Sequence, residues 1–288
     1  MASLGIVLAL MSGLVWGAAD FTGGFATRRG HQFQVVALSA GGGVVLLLAC
    51  ALGFQERLPP VESLLWAAAS GVAGAVGLAS LYRGLSLGSA ATVAPTAAVV
   101  TAVIPVIFNG FSSGWPRSLQ LAGFVLALTG IWLVAATSGE TAGDMSSATG
   151  PRAASATGLR MAILAGIGFG SFLILIAQVD ADFVFIPLAL ARTVMLGTVL
   201  ILMISQRVPL PSLTAHPWAL VAGVLDSGGN VLYLFARELT RLDVAAVLAS
   251  LYPVSTVVLA RVLLKEHISA TQWAGAFVCL VAVILITI

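Results

Sequence analysis

Three ionisable side chains stand inside long apolar runs of this 288-residue chain: Asp20, Arg192 and Asp226. An Asp or Arg at the centre of a membrane helix costs about 2.5 to 3.5 kcal/mol on insertion scales, so such residues turn to a bundle interior or a wet cavity. Arg192 and Asp226 fall near the middles of consecutive runs, where they can approach at mid-depth. There Arg192 would serve an anionic group of a ligand and Asp226 a cationic group or a proton; the alternative is an ion pair that only fixes helix packing. Asn230 follows Asp226 by four residues and Tyr233 by seven, so the three share one helix face, expected to line a polar interior. Asp20 is the second proton-carrier candidate. Trp16, one turn earlier on the same face, could stack on a planar or apolar group. The competing reading makes Asp20 the cap of a helix end beside Thr22, Gly23 and Gly24, with Trp16 only packing.

Helix breakers give a second signal. Pro95, Pro105 and Pro253 each remove an amide donor and free a carbonyl near the membrane interior. Pro95 and Pro253 are read as breaks beside the site, while Pro105 is equally a plain kink. Thr96 and Tyr252 adjoin the breaks and join Trp16, Asp20, Arg192, Asp226, Asn230 and Tyr233 as substrate-binding candidates. Thr92, Thr101 and Ser250 rank lower, because hydroxyls often bond back to their own helix. No catalytic residue, cofactor or metal site is expected. Gly84-Leu-Ser-Leu-Gly88 fits the serine-hydrolase pattern, but it falls in a predicted turn that no strand precedes. The sequence has no H-E-x-x-H, paired CxxC, P-loop or dinucleotide fingerprint.

The elements that must position these residues follow from composition. With 59% hydrophobic and 8% charged residues the chain is an integral membrane protein, and its 13 scattered basic residues offer no nucleic-acid groove. Cys50 and Cys279 lie in apolar runs and are read as buried thiols rather than a disulfide. Cutting at polar and turn-forming punctuation predicts ten transmembrane helices, near residues 4–26, 33–54, 62–81, 90–111, 119–137, 159–179, 183–204, 217–236, 244–263 and 270–288. The first run is too long for a signal-peptide core and is read as a retained span.

The chain also repeats itself. Gly13-Leu-Val-Trp-Gly17 returns 153 residues later as Gly166-Ile-Gly-Phe-Gly170, and Gln120-Leu-Ala-Gly123 returns 152 residues later as Gln272-Trp-Ala-Gly275. Residues 1–137 and 158–288 are therefore read as two five-helix repeats joined by a polar linker, 138–157. Five spans is an odd number, so the repeats are inverted by parity, an all-α 5+5 arrangement with both termini on one side. The GxxxG spacings are read as devices for close helix approach. Counting basic residues in the loops gives four on the side of the N-terminus against eight opposite, which favours a non-cytoplasmic N-terminus.

Four stretches, Trp16-Gly-Ala-Ala-Asp20-Phe-Thr-Gly-Gly24, Leu251-Tyr-Pro253, Leu264-Lys-Glu266-His-Ile-Ser269 and Gln272-Trp-Ala-Gly275, resemble the EamA family of the drug/metabolite transporter superfamily. The resemblance spans essentially the whole chain in two copies. It implies a 5+5 inverted-repeat carrier with a central cavity and alternating access, often exporting amino acids, nucleobases or other small metabolites. It also implies cytoplasmic termini, against the charge count. The chain departs from the pattern in its first copy, where Gly114 stands at the position that Glu266 fills in the second.

The function expected is a secondary transporter of small polar metabolites in the cell (inner or plasma) membrane, exporter or exchanger, not an enzyme. Its expected partners are a small-molecule substrate, the lipid bilayer and protons as candidate coupling ion, with no nucleic acid, in a monomer or homodimer. The alternatives are a carrier of amphipathic or lipid-linked compounds and a membrane assembly partner that transports nothing, the latter weakened by the mid-depth charges.

Overall fold

The computed structural model describes residues 2–27, 31–87, 90–143, 156–211, 217–264 and 269–287, and among these it is helical with no strand. In chain order the helices are α1 (Ala2–Thr27), α2 (Gln32–Gly53), α3 (Val61–Leu87), α4 (Ala90–Ser113), α5 (Ser118–Gly143), α6 (Ala156–Ile176), α7 (Phe185–Ser205), α8 (Pro217–Leu239), α9 (Leu242–Ala249), α10 (Tyr252–Leu264) and α11 (Ala270–Thr287). Among the described residues eight segments are long and apolar enough to cross a membrane, one of them formed by α9 and α10 together. Two shorter apolar stretches, Ser118–Val134 and Ala270–Ile286, complete the set. The helices are apolar on most faces because one side meets lipid. Leu4, Val7, Met11 and Leu14 are exposed at helical spacing along α1, while Ala9 and Ser12 between them are buried.

Several expectations change in detail. α3 runs to Leu87, so Gly84 to Leu87 of the hydrolase-like motif lie on its last turns rather than in a loop, and Gly88 lies outside the described residues. α5 continues to Gly143, six residues into the expected linker, of which residues 144–155 lie outside the described set. α4 passes Pro95 and Pro105 without interruption, so the break expected at Pro95 is not found. Pro95 sits in the second turn of α4, where few preceding carbonyls depend on its missing amide. The ninth predicted span does break, at Ser250 and Leu251 immediately before Tyr252 and Pro253.

The halves of the chain interlock. α1 packs on α8, α9 and α10, while α6 packs on α3 and α4. α2 packs on α7 and α8, α3 on α7, and α5 on α11. Exchanging α1 with α6, α2 with α7, α3 with α8, α4 with the α9–α10 pair, and α5 with α11 maps this set of pairings onto itself. The duplicated motifs occupy equivalent contacts. A Cβ at Gly17 would lie 2.6 Å from the Tyr252 carbonyl oxygen, and one at Gly170 would lie 3.0 Å from that of Thr101. In lipid, apolar area gives no net drive to helix association, so backbone approach of this kind supplies the packing. The duplicated glutamines cap helix starts. Gln120 Oε1 accepts from Arg117 N (3.3 Å) at α5, and Gln272 Oε1 accepts from Ser269 N (2.9 Å) at α11.

Both described ends of the chain lie at one end of the bundle. Gly5 abuts Leu239 and Thr240, and Gly123, near the start of α5, abuts Ile286. We call this end the proximal face and the opposite one the distal face. The proximal face is tied by polar contacts. Glu56 accepts the amides of Val184 (2.5 Å), Phe185 (3.0 Å) and Ile186 (2.6 Å) at the start of α7, where the helix dipole favours an anion. Arg237 donates to the carbonyls of Ala177 and Val179 just past α6. Arg241 donates to Asp243 and to the Gly114 carbonyl (2.8 Å). The hydrogen bonds to Asp243 push the Arg241 guanidinium above its ordinary pKa. Gly114 has φ of +92°, so the glycine that departs from the first-copy pattern sits where a Glu side chain would strain the backbone.

Candidate substrate site

Between the interlocked halves lies a cavity of about 450 Å³. Its walls come from Trp16 to Thr27 on α1, Val35 to Ala40 on α2, Gly71 to Leu81 on α3 and Ala222 to Asn230 on α8, with Ser250 and Tyr252 at the broken span. α6 and α7 contribute Phe169 to Leu173 and Leu188 to Met195, and Thr101 of α4 closes one side. The lining includes the last turns of α1 and the first of α2, but nothing from Ala2 to Val15. The cavity thus runs from mid-depth toward the distal face, with the tied proximal face beneath it.

The charged residues foreseen in the apolar runs meet here. Arg192 of α7 donates to the Asp226 carboxylate of α8, forming an ion pair whose side chains are 10% and 33% exposed. Each charge is therefore already answered by the other. Asp20 is different. Its side chain is exposed to the cavity and makes no hydrogen bond or ion pair with any described residue. It lies at α1 residue 20 of a helix that continues to Thr27, so it does not cap a helix end.

Trp16 forms the floor. Its ring stacks on Tyr233, with centroids 6.0 Å apart and planes 30° apart, and its Nε1 donates to the Asp226 carbonyl (3.3 Å). Gly229 makes room for it, since a Cβ there would lie 2.3 Å from Trp16 Cδ1. Asn230 lines the cavity and donates through Nδ2 to the same Asp226 carbonyl (2.7 Å). Its buried Oδ1 has no partner among the described residues. Such an acceptor costs about 1 to 3 kcal/mol unless a donor arrives, and it points to a group supplied by ligand or water.

The remaining candidates divide. Tyr252 lines the cavity directly after the break in the ninth span. Tyr233 shares the helix face of Asp226 and Asn230 but does not line the cavity. It is fully buried one turn deeper, covered by Trp16, with its hydroxyl donating to the Leu173 carbonyl (3.2 Å). Thr96 is buried outside the lining, whereas Thr101, ranked lower from sequence, is in it, although its hydroxyl bonds back to Ala97 (2.8 Å). The side chain of Pro95 lies outside the described set, and Pro253 is buried beside Tyr252 without lining the cavity. Sequence reasoning missed the apolar half of the wall: Leu78, Phe169, Phe172 and Leu173. Phe169 had a signal, being the counterpart of Trp16 in the duplicated Gly-x-x-x-Gly segment.

Cys50 and Cys279 are free thiols. Among the described residues no three His, Cys, Asp or Glu side chains gather as a metal site.

Comparison with known proteins now bears on what this cavity belongs to. The model of the EamA-like transporter family matches residues 3–136 and again residues 156–288. The chain belongs to the EamA-like transporter family. It is accordingly a multi-pass membrane transporter of the drug/metabolite type, and the two matches fall on the two interlocked halves. A solved crystal structure with 17% identity covers 98% of this chain and 96% of its own length with a TM-score of 0.72, which establishes a shared fold. No curated protein matches.

Proposed function

We propose that this EamA-family protein is a secondary carrier that moves a small metabolite, of amino-acid or nucleobase size, by alternating access of the cavity between its halves. The observation that carries the reading is a free carboxylate, Asp20, beside the Arg192–Asp226 pair and the unpartnered Asn230 Oδ1 in one mid-depth cavity. Charges kept in such a place at the cost of insertion are characteristic of substrate pathways. The interlocked packing supports two inverted five-helix repeats, and a site at their interface is where such carriers bind. Asp20 is the group we assign to proton coupling, and export or exchange is the direction we favour. Ten spans then leave both termini on one side of the cell membrane.

Purified protein reconstituted alone into liposomes should catalyse counterflow of a labelled metabolite from a small-molecule panel. Asp20→Asn should change the dependence of net flux on a pH gradient while leaving exchange measurable. Flux indistinguishable from protein-free liposomes for every compound would refute the carrier reading.

A further inference from the structure

The cavity straddles the internal pseudo-symmetry, and its charged groups all lie on one side. The pairing of Trp16 on Gly229 is repeated by Phe169 on Gly77, whose Cβ would lie 2.8 Å from Phe169 Cδ1. That match aligns α1 with α6 and α8 with α3, so Asp20 corresponds to Leu173, Asp226 to Gly74 and Asn230 to Leu78. A Cβ at Gly71 would meet the Ala191 carbonyl at 2.7 Å and one at Gly223 would meet that of Ser39, which aligns α7 with α2 and Arg192 with Ala40. Every one of these counterparts also lines the cavity. One wall therefore carries two carboxylates and one guanidinium, and the wall related to it by the repeat is uncharged among the described residues and mostly apolar, with Ser39 and Thr101 its hydroxyl-bearing residues. Arg192 and Asp226 neutralise each other, which leaves Asp20 as the carboxyl group of the lining without a partner among the described residues.

We infer that the substrate is an organic monocation, an ammonium or amidinium head on an apolar or aromatic body; this rests on the cavity being the carrier's substrate site. The head sits at Asp20, over the faces of Trp16 and Tyr252, where aromatic rings attract a cation. The body lies against Leu78, Phe169, Phe172 and Leu173. A free carboxylate or phosphate is disfavoured, because the only guanidinium among the described lining residues is held by Asp226 and an incoming anion would meet Asp20.

The test is binding to the purified protein in nanodiscs at neutral pH, followed by Trp fluorescence and thermal shift. The probes are benzyltrimethylammonium, its uncharged isostere neopentylbenzene, phenylacetate and zwitterionic phenylalanine. The expected result is saturable binding of benzyltrimethylammonium, at least about tenfold tighter than the other three, from one added charge attraction in a partly dry site. Asp20→Asn should weaken it about tenfold or more and Asp20→Glu should restore most of the loss, with the unliganded melting temperature of both variants near that of wild type. Tighter binding of phenylalanine or phenylacetate would overturn the cation assignment and leave the cavity as the substrate site. Cation binding unchanged in Asp20→Asn would overturn the assignment to Asp20. No saturable binding of any probe, with counterflow of some other metabolite present, would overturn the cation class alone; neither binding nor counterflow would overturn both.

Discussion

Replacing Asp226 with Asn tests whether the mid-depth pair is one unit. The Arg192 guanidinium is 10% exposed, so Asp226→Asn strands a charge that water scarcely reaches. Breaking a buried pair from one side costs about 3 to 5 kcal/mol. Here the carboxylate side chain is 33% exposed to the cavity, so solvent recovers part, and about 2 kcal/mol is expected. Arg192→Met leaves a carboxylate that the cavity can hydrate and should cost about 1 kcal/mol. The double variant leaves no stranded charge, so it should cost no more than about 1 kcal/mol, giving a coupling energy of about 2 kcal/mol. The assay is reversible unfolding in mixed micelles with increasing SDS, read by Trp fluorescence for wild type, both single variants and the double variant. Additive losses would refute the reasoning, because they would mean that the two side chains stabilise the fold independently.

Gly229→Ala should destabilise by about 1 to 2 kcal/mol in the same assay, since overpacking against Trp16 outweighs the better helix propensity. Gly41→Ala, where no atom lies within 4 Å of the new Cβ, should stabilise by up to about 1 kcal/mol. With Cys50 and Cys279 replaced by Ala, a cysteine at Asn230 should react with a water-soluble thiol reagent, and one at Tyr233 should not; equal labelling would contradict the cavity floor described above. Glu56→Gln removes the charge that holds three amides at the start of α7 and should cost about 1 to 2 kcal/mol of stability. It should also raise labelling of a cysteine at Leu188 from the proximal side in oriented vesicles, and no rise would mean that this contact does not hold that face shut.

Much of the bundle was legible because the bilayer imposes a simple length and hydropathy rule. That rule finds apolar runs but is silent on where helices stop in water, so it missed the last turns of α3 and the extension of α5. The charges in apolar runs led to the cavity because each is too costly to retain on a lipid-facing surface. Helical periodicity correctly placed Tyr233 on the face of Asp226 and Asn230. It carries no depth information, however, and Trp16, from another helix, decides that Tyr233 is core while Asn230 is wall. Pro95 and Pro253 look alike in sequence. Pro95 falls early in α4, where a missing amide is harmless, whereas Pro253 follows Ser250 and Leu251 at a real interruption.

Polar ties close the proximal face beneath the cavity, whose lining runs toward the distal side. Gln55 and Arg207 are equivalent positions after α2 and α7, and both adopt positive φ, 51° and 56°. The next residue is Glu56 in the first copy and Val208 in the second. Glu56 therefore clamps the start of α7, while Val208 has no carboxylate to offer the start of α2, which is capped by its own His31 and Gln34. The duplicated turn is thus a charged latch at one end of the bundle, whereas at the other the tie is neutral, Gln34 Nε2 donating to the Pro209 carbonyl (2.9 Å). Under the proposed alternating access the two faces would open against unequal barriers. Proximal opening must break charge-assisted bonds at Glu56, whereas distal closure must bring α1, α2, α3 and α8 together over a mostly apolar wall and the Asp20 carboxyl group. A cation at Asp20 lowers the cost of that second step, because it lets the carboxylate leave water as a neutral pair. Occupancy would then favour distal closure, and the stability of the Glu56 clamp would set how often the empty cavity faces the proximal side.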